Sequence, residues 1–209
     1  MKDLAQDLLK IKAVFLSPSK PFTWASGIKS PIYCDNRLTL SYPEIREKIA
    51  RGMAKIVEEK FSDADIIMGT ATAGIPHATL TSYFLNKPCG YVRGKAKDHG
   101  RGNQIEGRYE KGQKVVLIED LISTGGSSLE AVEALRENGL EVLAVISIFT
   151  YGMQKAIDNF VKHNCQAISL VKFDELLEEA KNENYIEGKD VAKIVKFMGN
   201  PSDESWMND

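Results

Sequence analysis

The sequence predicts an α/β protein in which a mostly parallel central sheet is flanked by helices, with a small hood at the N-terminus. Two observations support this prediction. Unbroken apolar runs, such as Val115–Ile118 and Val142–Ile146, are typical of strands covered on both faces. These runs alternate with segments whose apolar residues recur at helical spacing. That alternation is the pattern of parallel strands joined by right-handed helical crossovers.

The length of 209 residues suits one domain. We expect that domain to span residues 1–209. Within it, residues 1–40 are expected to form an N-terminal helix and the hood, and residues 93–113 a mobile basic loop.

The bulk composition excludes several classes of function. A net charge of −2 gives no overall attraction to nucleic acid or to acidic membranes. The cysteines and histidines are scattered, so they indicate neither a disulfide framework nor a transition-metal site. They are Cys34, Cys89, Cys165, His77, His99 and His163. Residues 1–12 lack the apolar core of a signal peptide, and we expect a soluble cytoplasmic protein that binds neither membrane nor nucleic acid.

Apolar spacing predicts two helices in the first third of the chain. The apolar residues of Leu4–Phe15 are spaced to lie on one face of a helix. Ser41 followed by Glu44 matches a capping box, and a helix is expected from there to about Lys60.

An aromatic-rich segment separates these two helices. Phe22–Trp24 and Ile32–Cys34 are predicted to be short strands joined by a Ser-Gly turn. With Lys29 and Arg37, such a hairpin suits stacking on a flat anionic ligand and neutralising it. The alternative is a surface hairpin whose rings pack on the domain.

A loop of small residues follows the next predicted strand, Ile66–Met68. This loop, Gly69–Gly74, leads into a helix expected to begin near Ile75, with Pro76 in its first turn. Small residues at a strand end can offer backbone N–H groups to a diphosphate. Close packing of a helix on the sheet explains them equally well.

A strand predicted at Pro88–Val92 precedes a basic, glycine-rich segment, Arg93–Arg108. The segment has five Lys or Arg residues against two acidic ones and almost no apolar residue. It cannot pack into a core, so we expect a mobile loop. One interpretation is a lid that closes over a phosphorylated substrate, and the other is a solvated surface loop.

The stretch Val115–Ser128 carries the strongest functional signal. Its strand is expected to end at Glu119 and Asp120, and its hydroxyl and glycine loop leads into a helix with Gly139 as C-cap. A helix N-terminus offers N–H groups to a phosphate. The two acids suit a ligand that also donates hydroxyl hydrogen bonds, such as a ribose, or that carries a divalent cation. The alternative is that they only cap and solvate the strand end.

The rest of the chain continues the alternation of strands and helices. The predicted elements are strands at Glu141–Ile148 and Ala167–Leu170, and helices near Met153–Lys162, Phe173–Lys181 and residues 191–198. The acidic tail, Ser202–Asp209, is expected to be frayed.

The stretch Val115–Ser128 resembles the phosphoribosyl-diphosphate (PRPP) signature of the type I phosphoribosyltransferases. Three further stretches, Phe22–Pro31, Gly69–Pro76 and Arg93–Gly100, are similar to the orotate phosphoribosyltransferases of that superfamily. The hairpin distinguishes the orotate enzymes from the other type I phosphoribosyltransferases, since relatives that use purines or uracil share the signature but not this hood. The resemblance implies the type I phosphoribosyltransferase fold. It also implies transfer of the 5-phosphoribosyl group from PRPP to orotate in pyrimidine (UMP) biosynthesis, with Mg²⁺ held mainly by PRPP.

The resemblance also implies residue roles, with Glu119 and Asp120 on the ribose hydroxyls. The implied catalytic residues are Lys97, His99 and Asp120. The implied PRPP-binding residues are Arg93, Lys97, His99, Glu119, Asp120, Leu121, Ile122, Ser123, Thr124, Gly125, Gly126 and Ser127. Orotate is expected to contact Ser123, Lys29 and Arg37. Members are homodimers in which the basic loop of one subunit covers the site of the other.

The sequence departs from the family pattern at several cationic positions. Ala25, Ala73 and Gly94 stand where many relatives carry a basic residue, and Phe149–Gly152 lacks an arginine that often contacts orotate. Glu119 replaces a common Asp. Lys29, Arg37 and Lys95 are the candidates to compensate.

Three alternative functions remain open on sequence grounds. The first is a phosphoribosyltransferase for another base. The second is a PRPP-sensing regulator, although about 20 residues before the hairpin are too few for a DNA-binding domain. The third is an α/β protein whose basic loop binds RNA, which would show salt-dependent affinity.

Overall fold

The structure, a computed structural model, describes residues 2–24, 27–94 and 104–208. Lys95, Lys97 and His99 therefore lie outside the described residues, together with the predictions made for them.

The strands and helices of the described residues follow one another in the predicted alternation. The strands are β1 (Val14–Leu16), β2 (Phe22–Thr23), β3 (Lys29–Ser30), β4 (Ile32–Cys34), β5 (Ile66–Thr70), β6 (Cys89–Val92), β7 (Ile105–Glu106), β8 (Lys114–Ile122), β9 (Glu141–Thr150) and β10 (Gln166–Lys172). The helices are α1 (Lys2–Lys10), α2 (Pro43–Lys60), α3 (Gly74–Leu85), α4 (Gly126–Glu137), α5 (Gln154–Lys162), α6 (Phe173–Asn182) and α7 (Gly188–Gly199). Two 3-10 helices span Asn36–Ser41 and Glu204–Asn208.

The central sheet of the described chain has the strand order β10-β9-β8-β5-β6-β7. Its strands pair in parallel, except that β7 pairs with β6 in the antiparallel direction. The mostly parallel sheet predicted from the sequence is therefore confirmed. The strand β8 lies in the middle, between β5 and β9, so its carboxyl end is surrounded by other strand ends.

Helices cover both faces of the sheet, and the side chains of β8 alternate between them. Val116 and Ile118 belong to the core beneath α1, α2, α3, α6 and α7. Val115 and Leu117 belong to the core beneath α4 and α5. All four are fully buried. Burial of each such side chain stabilises the fold by roughly 1.5–3 kcal/mol, which explains the unbroken apolar run.

The N-terminal helix is shorter than its apolar spacing predicts. The helix α1 ends at Lys10, and Lys12 adopts a positive φ of 58° that turns the chain. Phe15 therefore lies in β1, where it pairs with Tyr33 of β4. The helix prediction is right for Leu4 and wrong for Phe15, because pairing with a distant strand overrides local periodicity.

The hairpin of the hood has different partners from those predicted. The strand β2 pairs with β3, so that Thr23 faces Lys29, and β4 pairs with β1. The predicted pairing of Phe22–Trp24 with Ile32–Cys34 is wrong. The turn closes early because the Gly27 N–H donates to the carbonyl of Trp24, which leaves β4 free for β1.

The predicted capping box before α2 is wrong. Tyr42 is the N-cap and makes no side-chain capping bond, while Ser41 ends the preceding 3-10 helix. Pro43 occupies the first helical turn, where its missing N–H costs nothing and its fixed φ suits the helix.

Strand β8 and the C-terminal tail both form more regular structure than the sequence predicts. The strand β8 continues to Ile122, so Glu119 and Asp120 lie within it rather than after it, because β9 extends alongside and pairs Leu121 with Phe149. The tail prediction is also wrong, since Trp206 is fully buried against Phe197, with ring centroids 5.7 Å apart.

Gly139 ends α4 as predicted, from the position directly after the C-cap residue. Asn138 caps α4, and Gly139 follows with a φ of +84°. The N–H groups of Gly139 and Leu140 donate to the carbonyls of Arg136 and Leu135, which is a Schellman motif. No helix within the described ranges is long and apolar enough to cross a membrane.

Candidate active site

A cavity of about 230 Å³ lies at the carboxyl ends of β5, β6 and β8. Its walls come from the two small-residue loops and from the chain on either side of the basic segment. The lining residues are Thr70, Ala71, Thr72, Ala73, Val92, Arg93, Gly94, Gln104, Glu119, Asp120, Ser127, Glu130 and Ala131. Two larger hollows, of about 450 and 770 Å³, lie along α4 and beside β10, and neither includes Glu119 or Asp120. Ligands of open α/β sheets bind at such strand ends.

Glu119 is a buried carboxyl group with a full set of hydrogen-bond donors. The hydroxyl of Thr70 donates to its Oε1 at 2.7 Å, and the hydroxyl of Ser128 donates to its Oε2 at 3.1 Å. The backbone N–H of Asp120 also donates to Oε1, at 3.0 Å. Burial, followed by its hydrogen bond to the Asp120 carboxyl group, raises the pKa of Glu119 to about 7. The Glu119 carboxyl group therefore keeps its proton in weakly acidic solution.

Asp120 is half-buried on the cavity wall, and its backbone is tied to the hood. The side-chain amide of Asn36 donates to the carbonyl of Asp120 at 2.7 Å. The carboxyl group of Asp120 is therefore more accessible to a ligand than that of Glu119. Glu119 is the buried support, and Asp120 is the group presented to the cavity.

The loop between β8 and α4 presents an open helix N-terminus. Gly125 has a φ of +81° and is buried, and a Cβ there would meet the ring of Phe160 at 2.7 Å. Gly126 and Ser127 are exposed, and no side chain caps the helix. The first-turn N–H groups of α4 are thus available to an anion.

The other positions of the signature loop divide between ligand and core. Ser123 and Thr124 are half-buried, and the carbonyl of Thr124 accepts a hydrogen bond from Asn159 at 2.9 Å. Leu121 is half-buried, whereas Ile122 is buried and packs in the core beneath α4. Among these four, the structure supports a packing role for Ile122 most directly.

The loop after β5 is shaped by close packing. A Cβ on Gly74 would lie 2.4 Å from the carbonyl oxygen of Ile118, and one on Gly69 would lie 2.7 Å from the carbonyl oxygen of Gly74. The peptide bond between Ala71 and Thr72 is cis. Packing of α3 on the sheet therefore explains both glycines, while Thr70–Ala73 still face the cavity.

Positive charge is scarce on the described part of the cavity wall. Arg93 is the only basic residue among the described lining residues, against Glu119, Asp120 and Glu130. The Arg93 side chain is one-third exposed, and its guanidinium lies 3.5 Å from Glu106. The described wall alone therefore does not balance the charge of a diphosphate.

The structure does not bring Lys29 or Arg37 to this cavity. The ammonium group of Lys29 donates to Thr23 at 2.7 Å, and the guanidinium of Arg37 pairs with Asp35 at 2.6 Å. Both side chains are exposed, and neither lines the cavity.

The aromatic rings of the hood mostly pack on the domain. Trp24 lies against Tyr151 and Phe197, with ring centroids 5.5 and 5.8 Å apart. Phe22 packs on Phe15. Tyr33 is 42% exposed, but it is not among the described residues that line the cavity.

Four polar residues of this region were missed by reading the sequence. Thr70 and Ser128 bond Glu119, whereas Asn36 and His77 are buried polar side chains behind Asp120. Thr70 and Ser128 sit at the rims of predicted loops, and their hydroxyl groups were the available signal. For Asn36 and His77, the sequence carries no local signal, since burial of both depends on the packing of distant segments.

With this geometry defined, comparison with known proteins identifies the class. The family described as the phosphoribosyl transferase domain matches residues 40–179. The fold and the strand-end cavity therefore belong to a phosphoribosyltransferase.

Curated relatives narrow the class to one family. The chain is 57% identical to an orotate phosphoribosyltransferase from Listeria innocua over 205 residues, which covers 98% of this chain and 97% of the relative. It is 56% identical to the orotate phosphoribosyltransferase of Bacillus subtilis over 203 residues, covering 97% and 94%. The chain belongs to the orotate phosphoribosyltransferase family.

Solved structures share the fold. An orotate phosphoribosyltransferase from Aeropyrum pernix superimposes with a TM-score of 0.76 at 28% identity, covering 88% of this chain and 99% of that one. The UMP synthase of Leishmania donovani superimposes with a TM-score of 0.80 at 31% identity, covering 95% of this chain but 42% of that one.

Proposed function

We propose that this chain transfers the 5-phosphoribosyl group of PRPP to orotate, giving orotidine 5′-phosphate and diphosphate. The observation that carries the proposal is one cavity that joins an acidic ribose site, an open helix N-terminus and a basic edge. These are the Glu119–Asp120 pair, the start of α4 and Arg93. Membership of the family supports orotate as the base.

The acid pair is proposed to hold the ribose. Asp120 accepts hydrogen bonds from the ribose hydroxyls, because its carboxyl group lies on the cavity wall. Glu119 stays behind it, held by Thr70 and Ser128. A protonated Glu119 reduces the repulsion between these two adjacent carboxyl groups.

The 5′-phosphate is proposed to sit on the loop Leu121–Ser127. The exposed backbone of Gly126 permits close approach, since a Cβ there would meet nothing within 4 Å. The hydroxyl of Ser127 lines the cavity and supplies a further donor. The partial positive charge at the start of α4 adds to this attraction.

The diphosphate end needs more positive charge than Arg93 provides. We assign that charge to Lys97 and His99 of the basic loop and to Mg²⁺. The described residues contain no group of three His, Cys, Asp or Glu side chains placed to hold a metal ion. The oxygen-rich wall instead fits an ion carried by PRPP, with Asp120 holding the complex through the ribose hydroxyls. When bound, Mg²⁺ supplies positive charge to the leaving diphosphate.

The chemistry then needs no protein nucleophile. A nitrogen of orotate attacks C1 of the ribose as the bond to diphosphate breaks, and the proton of that nitrogen passes to the leaving diphosphate or to water. Positive charge develops on the sugar in such displacements, and Asp120 stabilises it. Negative charge accumulates on the diphosphate, where Lys97 and His99 bind more strongly than in the ground state.

Orotate is proposed to enter under the hood, beside Ser123. The exposed ring of Tyr33 offers a stacking surface. Lys29 and Arg37 remain candidates for its carboxylate only if they leave their present partners Thr23 and Asp35.

The active form is proposed to be a homodimer in which the basic loop of each subunit covers the other's site. Tyr83 on α3 is 76% exposed, which suits a surface that a second copy covers. The same helix begins beside the cavity, at Gly74. A copy packed on α3 would therefore lie near the neighbouring site.

The three cysteines are free in the described chain, which is consistent with a reducing cytoplasm.

An assay of diphosphate release with orotate, uracil, hypoxanthine and adenine tests the reaction. With PRPP present, we expect turnover of orotate and of none of the other three bases, and turnover of a purine but not of orotate would contradict the proposal.

Lys97→Ala should lower kcat by about 10³-fold or more, since one oxyanion-stabilising group contributes roughly 10²–10³-fold and Lys97 also neutralises the bound diphosphate. Thermal unfolding should be unchanged, because the segment around Lys97 carries almost no apolar residue that a core could bury.

Mixing inactive subunits tests the action of the loop in trans. Lys97→Ala mixed with Asp120→Asn should recover partial activity, because one site of each heterodimer combines an intact loop with an intact acid pair. Lys97→Ala mixed with itself is the control. Absence of recovery in proven heterodimers would show that the loop acts in its own subunit.

A further inference from the structure

A series of hydrogen-bonded polar side chains, the buried polar chain, lies behind Asp120 and joins the hood, α3 and β8. Asn36 and Thr39 come from the 3-10 helix of the hood, and His77 comes from α3. Each side chain is at most 1% exposed. Polar groups are rarely placed so deeply without a purpose, because each unpaired atom costs about 1–3 kcal/mol.

The hydrogen bonds of the buried polar chain all donate in one direction, toward Asp120. The hydroxyl of Thr39 donates to the backbone carbonyl of Asn36 at 2.6 Å. The amide of Asn36 donates in turn to the backbone carbonyl of Asp120 at 2.7 Å. The ring Nε2 of His77 lies 3.5 Å from the same Thr39 hydroxyl.

The proton inventory assigns the form of His77. Thr39 has a single hydroxyl proton, which the carbonyl of Asn36 accepts, so a hydrogen bond between His77 and this hydroxyl requires the proton to be on Nε2. Burial lowers the pKa of His77 to about 4, against the opposing charge of Asp120, so the ring is neutral at pH 7. Its Nδ1 is then a bare acceptor, and this atom has no hydrogen-bond partner.

We propose that Asn36, Thr39 and His77 are positioning residues that hold Asp120 at the ribose of PRPP. This inference rests on the proposed role of Asp120 as the ribose group. None of the three is among the described residues that line the cavity. They act on the reaction by fixing the Asp120 backbone, so that its carboxyl group meets the ribose hydroxyls without rearrangement.

This buried polar chain also connects the hood to the central sheet. Asn36 lies two residues after β4, the hood strand that carries Tyr33, and its side chain bonds the backbone of Asp120 in β8.

The test compares two probes that share one phosphate site. Ribose 5-phosphate occupies both the phosphate and ribose sites, whereas inorganic phosphate occupies only the first. Thr39→Val removes the hydroxyl at nearly constant volume and should weaken ribose 5-phosphate about tenfold, the equivalent of one net hydrogen bond. Phosphate affinity should be unchanged, and Thr39→Ser should restore ribose 5-phosphate binding. Loss of both affinities to the same extent, or of neither, overturns the proposal.

A double-mutant cycle separates this inference from the proposed function. Asp120→Asn should weaken ribose 5-phosphate by itself, and Thr39→Val should add nothing further in that background. If Asp120→Asn has no effect, the ribose role of Asp120 fails. If Asp120→Asn weakens binding and Thr39→Val does not, the positioning chain fails and the ribose role survives.

A second measurement remains if Thr39→Val does not fold. His77→Gln keeps an amide donor near Thr39, whereas His77→Leu removes it, and only the latter should weaken ribose 5-phosphate. Nitrogen-15 NMR of the imidazole, assigned by the loss of signals in His77→Gln, should show a neutral ring protonated on Nε2. A proton on Nδ1 would overturn the assigned direction of the chain.

Discussion

Two loops of this protein look alike in sequence and are built for different purposes. Gly69–Gly74 runs from the end of β5 to the first residue of α3, and Ser123–Ser128 runs from the end of β8 into the first turn of α4, both through small residues. In the first, Gly69 and Gly74 are glycine because backbone from the adjoining strand and helix occupies the space of a Cβ. In the second, Gly126 faces open space. A glycine required by packing and a glycine left open to a ligand are indistinguishable in the sequence.

Glu119 ties the two loops together. Thr70, at the start of the first loop, bonds one oxygen of its carboxyl group, and Ser128, at the end of the second, bonds the other. The difference between the loops therefore concerns their glycines, while their hydroxyls serve one common site. The following variants test that division.

Gly74→Ala should have the largest effect of the glycine variants. Its Cβ would lie 2.4 Å from the carbonyl oxygen of Ile118, which is backbone of the central strand and cannot move cheaply. We expect the free energy of unfolding to fall by more than about 3 kcal/mol, at the upper end for overpacking. Urea denaturation measures this. An unchanged midpoint would mean that α3 does not pack as closely as described.

Two buried groups beside the loops should give opposite pH dependences of stability. The pKa of Glu119 is raised from 4.5 to about 7, so its stabilising contribution is complete below pH 4.5 and is lost as the pH rises through 7. The pKa of His77 is lowered from 6.5 to about 4, so its contribution is complete above pH 6.5 and is lost as the pH falls through 4. Each amounts to about 3 kcal/mol, and between pH 4.5 and 6.5 they largely cancel.

Removing either group should expose the slope of the other. In His77→Gln, the free energy of unfolding should itself fall by about 3 kcal/mol as the pH rises from 4.5 to 7, because the opposing contribution of His77 is gone. In Glu119→Gln, it should rise by a similar amount from pH 4 to 6.5. Denaturation at a series of pH values checks both. Two variants with parallel profiles would show that the burial of these groups is not what shifts them.

Gly125→Ala should cost about 2 kcal/mol, from its left-handed backbone and from overpacking. Its φ is +81°, and a Cβ would meet the Phe160 ring at 2.7 Å. The double variant Gly125→Ala with Phe160→Leu should lose less than the sum of the single variants, because the smaller side chain relieves the contact. Strict additivity would leave only the backbone term.

Gly126→Ala should have the smallest effect on stability, within about 0.5 kcal/mol. Its Cβ meets nothing within 4 Å, so it should instead weaken inorganic phosphate severalfold by blocking approach to the α4 N-terminus. Calorimetric titration with phosphate measures this, and Gly188→Ala, also in open space at a helix start, is the matched control. Unweakened phosphate binding would place the phosphate elsewhere.

Local pattern was sufficient for much of the architecture. The apolar runs around Val116 and Val145, the helices between them and the Gly139 stop are confirmed, because each depends on residues near in the chain. The open helix N-terminus after β8 is confirmed as well, although the acid pair lies within the strand and not after it.

Contacts between distant segments decided the rest. Phe15 left its helical pattern to pair with Tyr33, and β8 ran on past Asp120 because β9 lay beside it. The C-terminal tail is ordered because Trp206 is buried and packs against Phe197. No spacing in the sequence brings Asn36 and His77 behind Asp120. Their burial follows from how the hood and α3 pack on the sheet, which is a property of the assembled chain.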